Sequence, residues 1–373
     1  MKIGIYCESV KVSNKTGISR YVIGLVEALL KEKSDNIFYL YYQSDSVFSK
    51  PLPWLYSHPQ VIHRPIFSPS DLASNRPRIW WDYLLPFHIW KDKISVFHGP
   101  NHFLPKTKVP TVLTIHDLAY FYMNVHGPGL DRILRHWTTT SMQRATKVIT
   151  VSNSTKNDCI RENCPSEKIS TIYQGFEGNR LAKLSEPDLQ KPYILFLGTL
   201  QPRKNIDFLI NAFSNCAQKI PHQLIIAGAP GPSSRAVLKA IEHHNLEERI
   251  KVTGFISDTE RQELYLGASC FVYPSKYEGF GLVVLEAMSY GVPVITTNNS
   301  SLPEAVGSAG VTVNENSTEE LSGAILKIVT CEETRLELRR KGLAHVKSFS
   351  WDRCSKNTLK VYEEATKIKG IKQ

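Results

Sequence analysis

Several signatures that would assign this chain of 373 residues to a common class of protein are missing from it. The seven cysteines form no C-x-x-C pair, so we expect reduced core thiols rather than a disulfide framework. No uninterrupted apolar run approaches the ~18 residues that a membrane-spanning helix needs. Because the segment from Met1 to Glu8 has the pattern of a short buried strand and not of a signal peptide, we expect a cytoplasmic protein.

The excess of basic residues favours an acidic binding partner, but it does not identify the class of that partner. The formal net charge of +10 favours an acidic partner, which could be nucleic acid, anionic lipid headgroups or a phosphorylated substrate. The chain has no zinc-finger spacing, no aromatic RNA-binding signature and no long Lys/Arg block. We therefore expect no nucleic-acid partner.

Strand-like and helix-like segments alternate twice along the chain, which predicts an α/β protein with two domains. The strands of the first half are predicted at Ile3–Cys7, Ile37–Tyr42, Ile94–His98, Val109–Ile115 and Lys147–Val151. After a polar stretch from Glu177 to Lys191, strands are predicted at Tyr193–Leu197, Gln223–Ala227, Ile250–Thr253, Cys270–Pro274, Pro293–Thr296 and Gly310–Val313. Crossover helices between such strands predict two doubly wound parallel sheets, with ligands bound in the cleft between the domains.

The segment from Tyr277 to Glu286 places two glutamates around a glycine-flanked helix start. Glu278 follows a predicted strand, at the end where open α/β sheets bind ligands. A helix that begins at Gly279 to Gly281 presents free N–H groups and a positive dipole end, and Glu286 then lies about two turns into it. The alternative is a capped amphipathic helix whose glutamates are solvated.

In each predicted sheet, the loop after the first strand contains further candidate binding residues. In the second half, Arg203 and Lys204 precede a helix, where positive charge is unfavourable unless an anion offsets it. This pair predicts phosphate binding, although a solvated basic turn has the same pattern. In the first half, Gly17 and Ser19 could approach a diphosphate or could form a plain turn, because the G-x-G-x-x-G spacing is absent.

His116 and Asp117 close a predicted strand of the first half, so His116 is a candidate for ligand contact. His98 and His102 lie in a neighbouring strand-end loop, and metal binding is the rival interpretation of these histidines. Because Gly99 and Pro100 separate His98 from His102, a metal-binding helix is not expected there.

The segment from Arg76 to Lys91 mixes basic and aromatic residues, as membrane-interface helices do. The alternative is a core helix of the first domain in which Trp81, Leu84, Leu85 and His88 face inward. Both interpretations stay open, and they could hold for different faces of the same helix.

The ordered set of motifs resembles that of the retaining glycosyltransferases of family 4, in particular the mannosyl- and rhamnosyltransferase-like branch that builds bacterial surface polysaccharides. The resemblance covers nearly the whole chain. It rests on Gly17–Tyr21, Phe97–Asn101, His116–Leu118, Val151–Ser152, Gly198–Asn205, Tyr273–Ser275, the Glu278 and Glu286 pair, and Ser301–Glu304.

The resemblance implies a GT-B fold, in which two Rossmann-like domains face a cleft. Residues 1–180 would bind the acceptor, residues 191–352 would bind the nucleotide-sugar, and a C-terminal helix at about 355–373 would pack back on the first domain. By the same resemblance Glu278 binds donor-sugar hydroxyls, Glu286 binds the ribose, Arg203 and Lys204 hold the diphosphate, and His116 lies beside the reacting sugar. The predicted catalytic residues are His116, Asp117 and Glu278, and the predicted donor-binding residues are Gly17, Ser19, Arg203, Lys204, Gly279, Phe280, Gly281 and Glu286.

We therefore expect a retaining hexosyltransferase that uses a nucleotide-sugar such as GDP-mannose and a glycan or lipid-linked oligosaccharide acceptor. No metal or other cofactor is expected, since no D-x-D sequence occurs in the chain. A lipid-linked acceptor would bring the protein to the inner face of the cell membrane as a peripheral protein. The alternatives are an epimerase or a phosphorylase on the same fold, and a non-catalytic glycan- or membrane-binding scaffold.

Overall fold

The computed structural model describes residues 1–11, 17–44, 58–67, 79–177 and 192–370. The chain divides into two compact units. Unit 1 comprises Met1–Gly175 and the chain from Ser350 onward, and unit 2 comprises Phe176–Phe349. The predicted linker lies outside the described residues beyond Glu177.

The described part of unit 1 contains one sheet of seven parallel strands in the order β3-β2-β1-β4-β5-β6-β7. The strands are β1 Lys2–Tyr6, β2 Ile37–Ser44, β3 Val61–Phe67, β4 Val96–Gly99, β5 Thr111–Ile115, β6 Lys147–Thr150 and β7 Ile169–Thr171. The inner strands are continuous apolar runs because helices cover both faces of a parallel sheet, and β4 and β5 are buried along their whole length.

The described helices of unit 1 connect these strands and cover the sheet. They are α1 Gly17–Lys31, a π-helical turn Trp80–Leu84 that continues into α2 Leu85–Lys91, α3 Ala119–Tyr122, α4 Pro128–Arg144, α5 Asn153–Arg161 and the C-terminal helix Trp351–Gly370, with 3₁₀ turns at Glu8–Lys11 and Ser166–Lys168. Apolar residues recur at three- and four-residue steps along α1, and all are buried except the partly buried Ile18: Ile18, Tyr21, Val22, Leu25, Val26, Leu29 and Leu30.

Two glycines make room for the first residue of the C-terminal helix. A Cβ atom on Gly24 or on Gly175 would lie 2.3 Å from atoms of the Trp351 indole. The indole therefore packs directly on the backbone of α1 and on the segment that follows β7. Val361, Tyr362 and other residues of this helix share one apolar core with α1 and β1.

The described part of unit 2 contains a sheet of six parallel strands in the order β10-β9-β8-β11-β12-β13. The strands are β8 Tyr193–Leu197, β9 Gln223–Ala227, β10 Ile250–Gly254, β11 Ala268–Tyr273, β12 Val294–Thr297 and β13 Val311–Val313. The helices are α6 Ile206–Ser214, α7 Ser234–His243, α8 Asp258–Gly267, α9 Leu282–Ser289, α10 Leu302–Val306, α11 Thr318–Thr330 and α12 Glu332–His345, with 3₁₀ turns at Pro202–Lys204, Ala217–Lys219, Gly307–Ala309 and Val346–Ser348.

The predicted fold class, α/β with two Rossmann-like units, is confirmed. Two edge strands, β3 and β7, were not predicted. β3 carries His63, Arg64 and Pro65, which break the apolar pattern of a strand, and β7 has only three residues. Among the described residues, no helix is long and apolar enough to span a membrane.

Candidate functional site

Glu278 is the centre of a charged cluster at the carboxyl end of β11. Its Oε1 atom accepts hydrogen bonds from Arg203 Nη1 at 2.8 Å, Lys204 Nζ at 2.6 Å, Ser275 Oγ at 2.6 Å and Tyr273 OH at 3.0 Å. We call these five residues the Glu278 cluster. Within the described residues its other carboxylate oxygen, Oε2, makes no hydrogen bond, so it is available to accept one from a ligand.

Neighbouring strands bring the members of the Glu278 cluster together. β8 and β11 are adjacent in the sheet, and the basic turn Pro202–Lys204 follows β8. Ser275 Oγ also donates to the carbonyl of Arg203 at 3.0 Å, and Asn205 then turns the chain into α6 with a left-handed φ of 54°. The turn and the loop after β11 are therefore held as one unit.

The backbone of Glu278 is fixed by two serines that follow β12. Its N–H donates to Ser300 Oγ at 3.0 Å, and its carbonyl accepts from Ser301 Oγ at 2.8 Å. Thr297 Oγ1 donates to the carbonyl of Ser275 at 2.7 Å. The carboxylate is consequently held in one place from both its backbone and its side chain, as a preorganised binding site requires.

The charges of the cluster decide its protonation state. Burial alone would raise the pKa of Glu278, but the positive charges of Lys204 and Arg203 outweigh it and lower that pKa to about 2. Lys204 is itself buried, its side chain only 7% exposed, and its ammonium group also contacts the Tyr273 hydroxyl. One carboxylate and two cations leave the cluster with a net charge of +1.

This arrangement changes part of the prediction made from the sequence. The unfavourable charge of Arg203 and Lys204 is offset by Glu278 of the same chain, so a bound phosphate is not required to explain the basic pair. The structure brings all three residues into one ion cluster, whereas the resemblance assigned the carboxylate and the cations to separate parts of a donor.

The glycine-flanked helix start lies close to its predicted position. α9 begins at Leu282, and Gly281 precedes it with a φ of +98°, a conformation that favours glycine. The ring of Phe280 is buried and packs edge-on against Phe349 at 5.4 Å between centroids, so it faces the core. Glu286 is the fifth residue of α9, little more than one turn in, and the prediction of about two turns was wrong because the helix begins after Gly281.

Glu286 is held by two residues of α8 that the sequence did not indicate. Arg261 forms an ion pair with it, Nε to Oε1 at 3.2 Å, and the Tyr265 hydroxyl donates to Oε2 at 3.2 Å. Burial, and after it the Glu286 charge, raise the pKa of Tyr265 well above its usual value, so this hydroxyl stays protonated. A capping box of Ser257 and Glu260 begins α8, and its sequence pattern marks the start of this helix but not the face that meets Glu286.

His116, in unit 1, has a tautomer set by its hydrogen bonds. Its Nε2 lies 2.8 Å from the carbonyl oxygen of Pro100, which can only accept, so Nε2 carries the proton and Nδ1 is left as an acceptor. The backbone N–H of His116 donates to His102 Nε2 at 3.2 Å, and His102 Nδ1 then donates to the Tyr120 hydroxyl at 3.1 Å. Within the described residues His116 Nδ1 has no partner.

The three clustered histidines of unit 1, His98, His102 and His116, are uncharged. Burial, followed by the proximity of His116, lowers the pKa of His98 to about 3 and that of His102 to about 4. Burial also lowers the pKa of His116. His98 lies inside β4, where its ring bonds Tyr362 of the C-terminal helix at 2.7 Å and Thr114 at 2.8 Å, so its role is structural. Over the described ranges, no group of three or more His, Cys, Asp and Glu residues could hold a metal ion.

The remaining predicted site residues of unit 1 are Asp117, Ser19 and Gly17, and the first two make hydrogen bonds close to their own positions in the chain. Asp117 Oδ1 accepts from the backbone N–H of Ala119 at 2.9 Å at the start of α3. Ser19 is buried, and its hydroxyl donates to the Ser9 carbonyl at 2.7 Å. Gly17 is the exposed first residue of α1, and a Cβ atom there would meet nothing within 4 Å. Residues 12–16 of this loop lie outside the described residues.

The aromatic helix of unit 1 has one buried face and one exposed face. Trp80, Leu85 and Ile89 are buried, whereas Tyr83 and Trp90 are each 71% exposed. Of the four residues predicted to face inward, Leu85 alone is fully buried, because the π-helical turn adds a residue to the helical repeat and shifts the face. Residues 76–78 of the segment lie outside the described residues.

Comparisons with known proteins agree with this architecture. Residues 15–180 match the family described as Glycosyltransferase Family 4, and residues 180–345 match Glycosyl transferases group 1. The chain is 32% identical to O-antigen chain mannosyltransferase B of Escherichia coli over 393 aligned positions, which cover 97% of this chain and all of that protein.

Solved structures show the same fold at low sequence identity. The lipopolysaccharide outer core galactosyltransferase WaaB has a TM-score of 0.71 with 16% identity, over 98% of this chain and 99% of that one. Anabaena HepE in complex with UDP-glucose has a TM-score of 0.68 with 17% identity, over 99% of each chain.

Proposed function

The chain belongs to glycosyltransferase family 4, and from that premise we propose that it transfers a hexose from a nucleotide-sugar to a glycan or lipid-linked oligosaccharide. The similarity to an O-antigen chain mannosyltransferase supports mannose as the hexose, GDP-mannose as the first donor to test, and surface polysaccharide synthesis as the process. The UDP-glucose complex of HepE supports a nucleotide-sugar donor. We propose that transfer retains the anomeric configuration and needs no metal.

The observation that carries the proposal is the Glu278 cluster. Its unengaged oxygen, Oε2, can accept a hydrogen bond from a sugar hydroxyl, while its net charge of +1 attracts a diphosphate. Helix α9 begins four residues after Glu278, and its N-terminus adds free N–H groups and the positive end of the helix dipole. One small region thus offers partners for both parts of a nucleotide-sugar.

The chemistry follows from where charge develops. As the bond between the sugar C1 and the phosphate oxygen breaks, negative charge grows on the diphosphate and positive charge on the sugar ring. Arg203, Lys204 and the N–H groups of α9 stabilise the diphosphate, and loss of one such preorganised donor costs about 3 kcal/mol of barrier. The acceptor oxygen bonds to C1, and its proton passes to the departing phosphate oxygen, so no nucleophile of the protein is needed.

A donor screen followed by product analysis tests the proposal. At about 100 times its dissociation constant, the true donor adds ~2.7 kcal/mol of apparent stability, so a thermal-shift panel of GDP-, UDP-, dTDP- and ADP-sugars should single it out. That donor with an oligosaccharide acceptor should then give an elongated glycan with the donor's anomeric configuration. An epimerised donor without acceptor, a sugar phosphate formed only with inorganic phosphate, or no turnover at all would reject glycosyl transfer.

We also propose that the exposed aromatic face of unit 1 contacts an anionic membrane that carries a lipid-linked acceptor. Tyr83, Phe87 and Trp90 are 71%, 53% and 71% exposed, and the formal net charge of +10 favours anionic headgroups. Sedimentation with vesicles containing anionic lipid should capture the protein at low salt. Replacing Phe87 and Trp90 with Ser should abolish capture, whereas Phe255→Ser, at a 75% exposed site of unit 2, should not. Equal capture of both variants would contradict this contact.

A further inference from the structure

Unit 1 contains a cavity of about 220 Å³ to which no role has been assigned. It lies between the π-helical turn Trp80–Leu84, the loop after β4 and the helix α4. Trp81, Phe103 and Trp137 form aromatic walls, with Phe103 edge-on to both tryptophans at centroid distances of 6.4 and 5.7 Å. Because the rings are held by one another, their faces keep a defined orientation towards the space between them.

The same cavity carries two opposite charges that do not pair. Asp82 and Arg144 both line it, and neither makes an ion pair or a hydrogen bond within the described residues. Thr140 and Ser141 add hydroxyl groups to the lining, and Ser141 Oγ accepts the backbone N–H of Leu104 at 3.1 Å. A free carboxylate and a free guanidinium next to aromatic faces are available for a ligand that offers both hydroxyl donors and hydroxyl acceptors.

These groups discriminate between classes of ligand. An acyl chain would cover the partly buried carboxylate of Asp82 without offering it a hydrogen-bond donor, which is costly. A phosphate would be attracted by Arg144 and repelled by Asp82. A pyranose ring matches the lining, because its C–H face can lie on an aromatic ring while its hydroxyls donate to the carboxylate and accept from the guanidinium.

We propose that this cavity binds one neutral sugar residue of the acceptor glycan. The inference rests on the proposed glycosyl transfer and adds the position of an acceptor subsite. Phe103, a wall of the cavity, directly follows His102, whose ring holds the backbone of His116. The ring of Phe103 lies 6.5 Å from that of His102, so this wall of the cavity adjoins the histidine cluster of unit 1.

Binding of free sugars tests the subsite without any need for turnover. Saturation-transfer NMR with methyl α-D-mannopyranoside, the α-glucoside and the α-galactoside should detect binding of at least one of them to the intact protein. Asp82→Asn and Arg144→Gln should each weaken that binding at least fivefold. Arg132→Gln is the matched control, because Arg132 is exposed on the same helix, α4, and does not line the cavity.

Kinetics then separate acceptor binding from folding and from the donor site. Asp82→Asn and Arg144→Gln should raise the acceptor KM at least fivefold, with the donor KM, the donor-induced thermal shift and the unfolding temperature unchanged. No saturation transfer from any of the three sugars, equal binding by Arg144→Gln and Arg132→Gln, or loss of vesicle capture in place of sugar binding would overturn the inference. Sugar binding that depends on Asp82 and Arg144 without any transfer would uphold the cavity and refute the proposed function instead.

Discussion

The two units build their strand-end clusters from opposite kinds of chemistry. In unit 2, Glu278 is ionised and is held by two cations. In unit 1, His98, His102 and His116 are neutral, and hydrogen bonds fix the tautomer of His116. Both clusters follow the carboxyl ends of parallel strands, so the topology alone does not determine whether such a site is charged.

The comparison teaches what each cluster can offer a ligand. The Glu278 cluster has a net charge of +1 and can hold an anion, and its carboxylate stays ionised through the physiological pH range. The histidine cluster offers one uncharged acceptor, Nδ1 of His116, which suits a hydroxyl and has no attraction for phosphate. Substitutions in the Glu278 cluster should therefore change stability and nucleotide binding, whereas substitutions in the histidine cluster should change the use of a hydroxyl group.

Removing the charge of Glu278 should have the largest effect. In Glu278→Gln the buried Lys204 and the partly exposed Arg203 lose their carboxylate, and breaking a buried pair such as that of Lys204 costs about 3 to 5 kcal/mol. Transfer should fall about 100- to 1000-fold, whereas binding of GDP or UDP should be as tight or tighter, because the net charge rises from +1 to +2. Urea denaturation, single-turnover rates and nucleotide titration measure the three quantities.

The matched control for Glu278 is Glu337→Gln. Glu337 pairs with Lys341 on α12, but its side chain is 53% exposed, so we expect no measurable loss of stability and unchanged transfer. Transfer by Glu278→Gln within twofold of the native rate, or a weaker nucleotide affinity, would contradict the assigned role.

Acid should weaken unit 1 more than unit 2, because burial lowers the pKa of His98, His102 and His116 in unit 1 and, in unit 2, that of His222 to about 4. A histidine whose folded pKa is lowered contributes stability that is fully present above its unfolded pKa of 6.5 and is lost as the pH falls towards the folded value. For His98 and His102 those folded values are about 3 and about 4, so each loses about 1.4 kcal/mol per pH unit below 6.5. Glu278, lowered from 4.5 to about 2, contributes stability that is lost only below pH 4.5.

Hydrogen exchange between pH 6.5 and 5, corrected for intrinsic rates, separates the two units. We expect protection to fall further in the strands of unit 1, which hold three buried histidines with lowered pKa values, than in those of unit 2, which hold His222. His98→Asn should reduce the pH dependence of unit 1, because it removes one of the groups responsible. Earlier loss of protection in unit 2 would show that other groups dominate.

Two variants of His116 test whether its uncharged Nδ1 atom accepts a hydrogen bond during transfer. His116→Gln can still donate to the Pro100 carbonyl but loses the acceptor at Nδ1, whereas His116→Asn can place its amide oxygen near Nδ1. We expect the glutamine variant to lose about tenfold in kcat, as for one hydrogen bond of ~1.4 kcal/mol, and the asparagine variant to lose less. Equal rates for the two variants would contradict use of Nδ1.

The sequence predicted an element well where its pattern of apolar and polar residues allowed few alternatives. Strands β8 and β9 were predicted with their observed ends, because short, mostly apolar runs between polar loops leave little choice of register. Glu278 was predicted from the rule that ligands bind at the carboxyl ends of parallel strands, and Arg203 and Lys204 were predicted from their positive charge before a helix. Their joint ion cluster was not predicted, since the spacing along the chain does not show which side chains meet.

The buried face of a helix was harder to predict from the sequence than the ends of a strand. The capping box set the start of α8 but not the rotation that turns Arg261 and Tyr265 towards Glu286. In the aromatic helix, the π-helical turn displaced the buried face from the one that a 3.6-residue repeat predicts. Both depend on tertiary packing, which local periodicity does not encode.

Arg261 should show the smallest effect, because under the proposal that Glu286 binds the donor ribose it acts on the donor only through that carboxylate. Without its guanidinium the carboxylate of Glu286 keeps only the Tyr265 hydroxyl, and the carboxylate is free to turn away from a ribose. Arg261→Gln should therefore raise the dissociation constant of GDP about three- to fivefold, while that of 2′-deoxy-GDP changes little, because the lost contact is the one to the 2′-hydroxyl. Arg261→Lys should restore part of the difference, and Gln262→Ala, next to it on the exposed side of α8, should have no effect. Calorimetric titration of both nucleotides measures the two constants. An equal loss of affinity for GDP and for its 2′-deoxy form would show that Glu286 does not bind the 2′-hydroxyl through the support of Arg261.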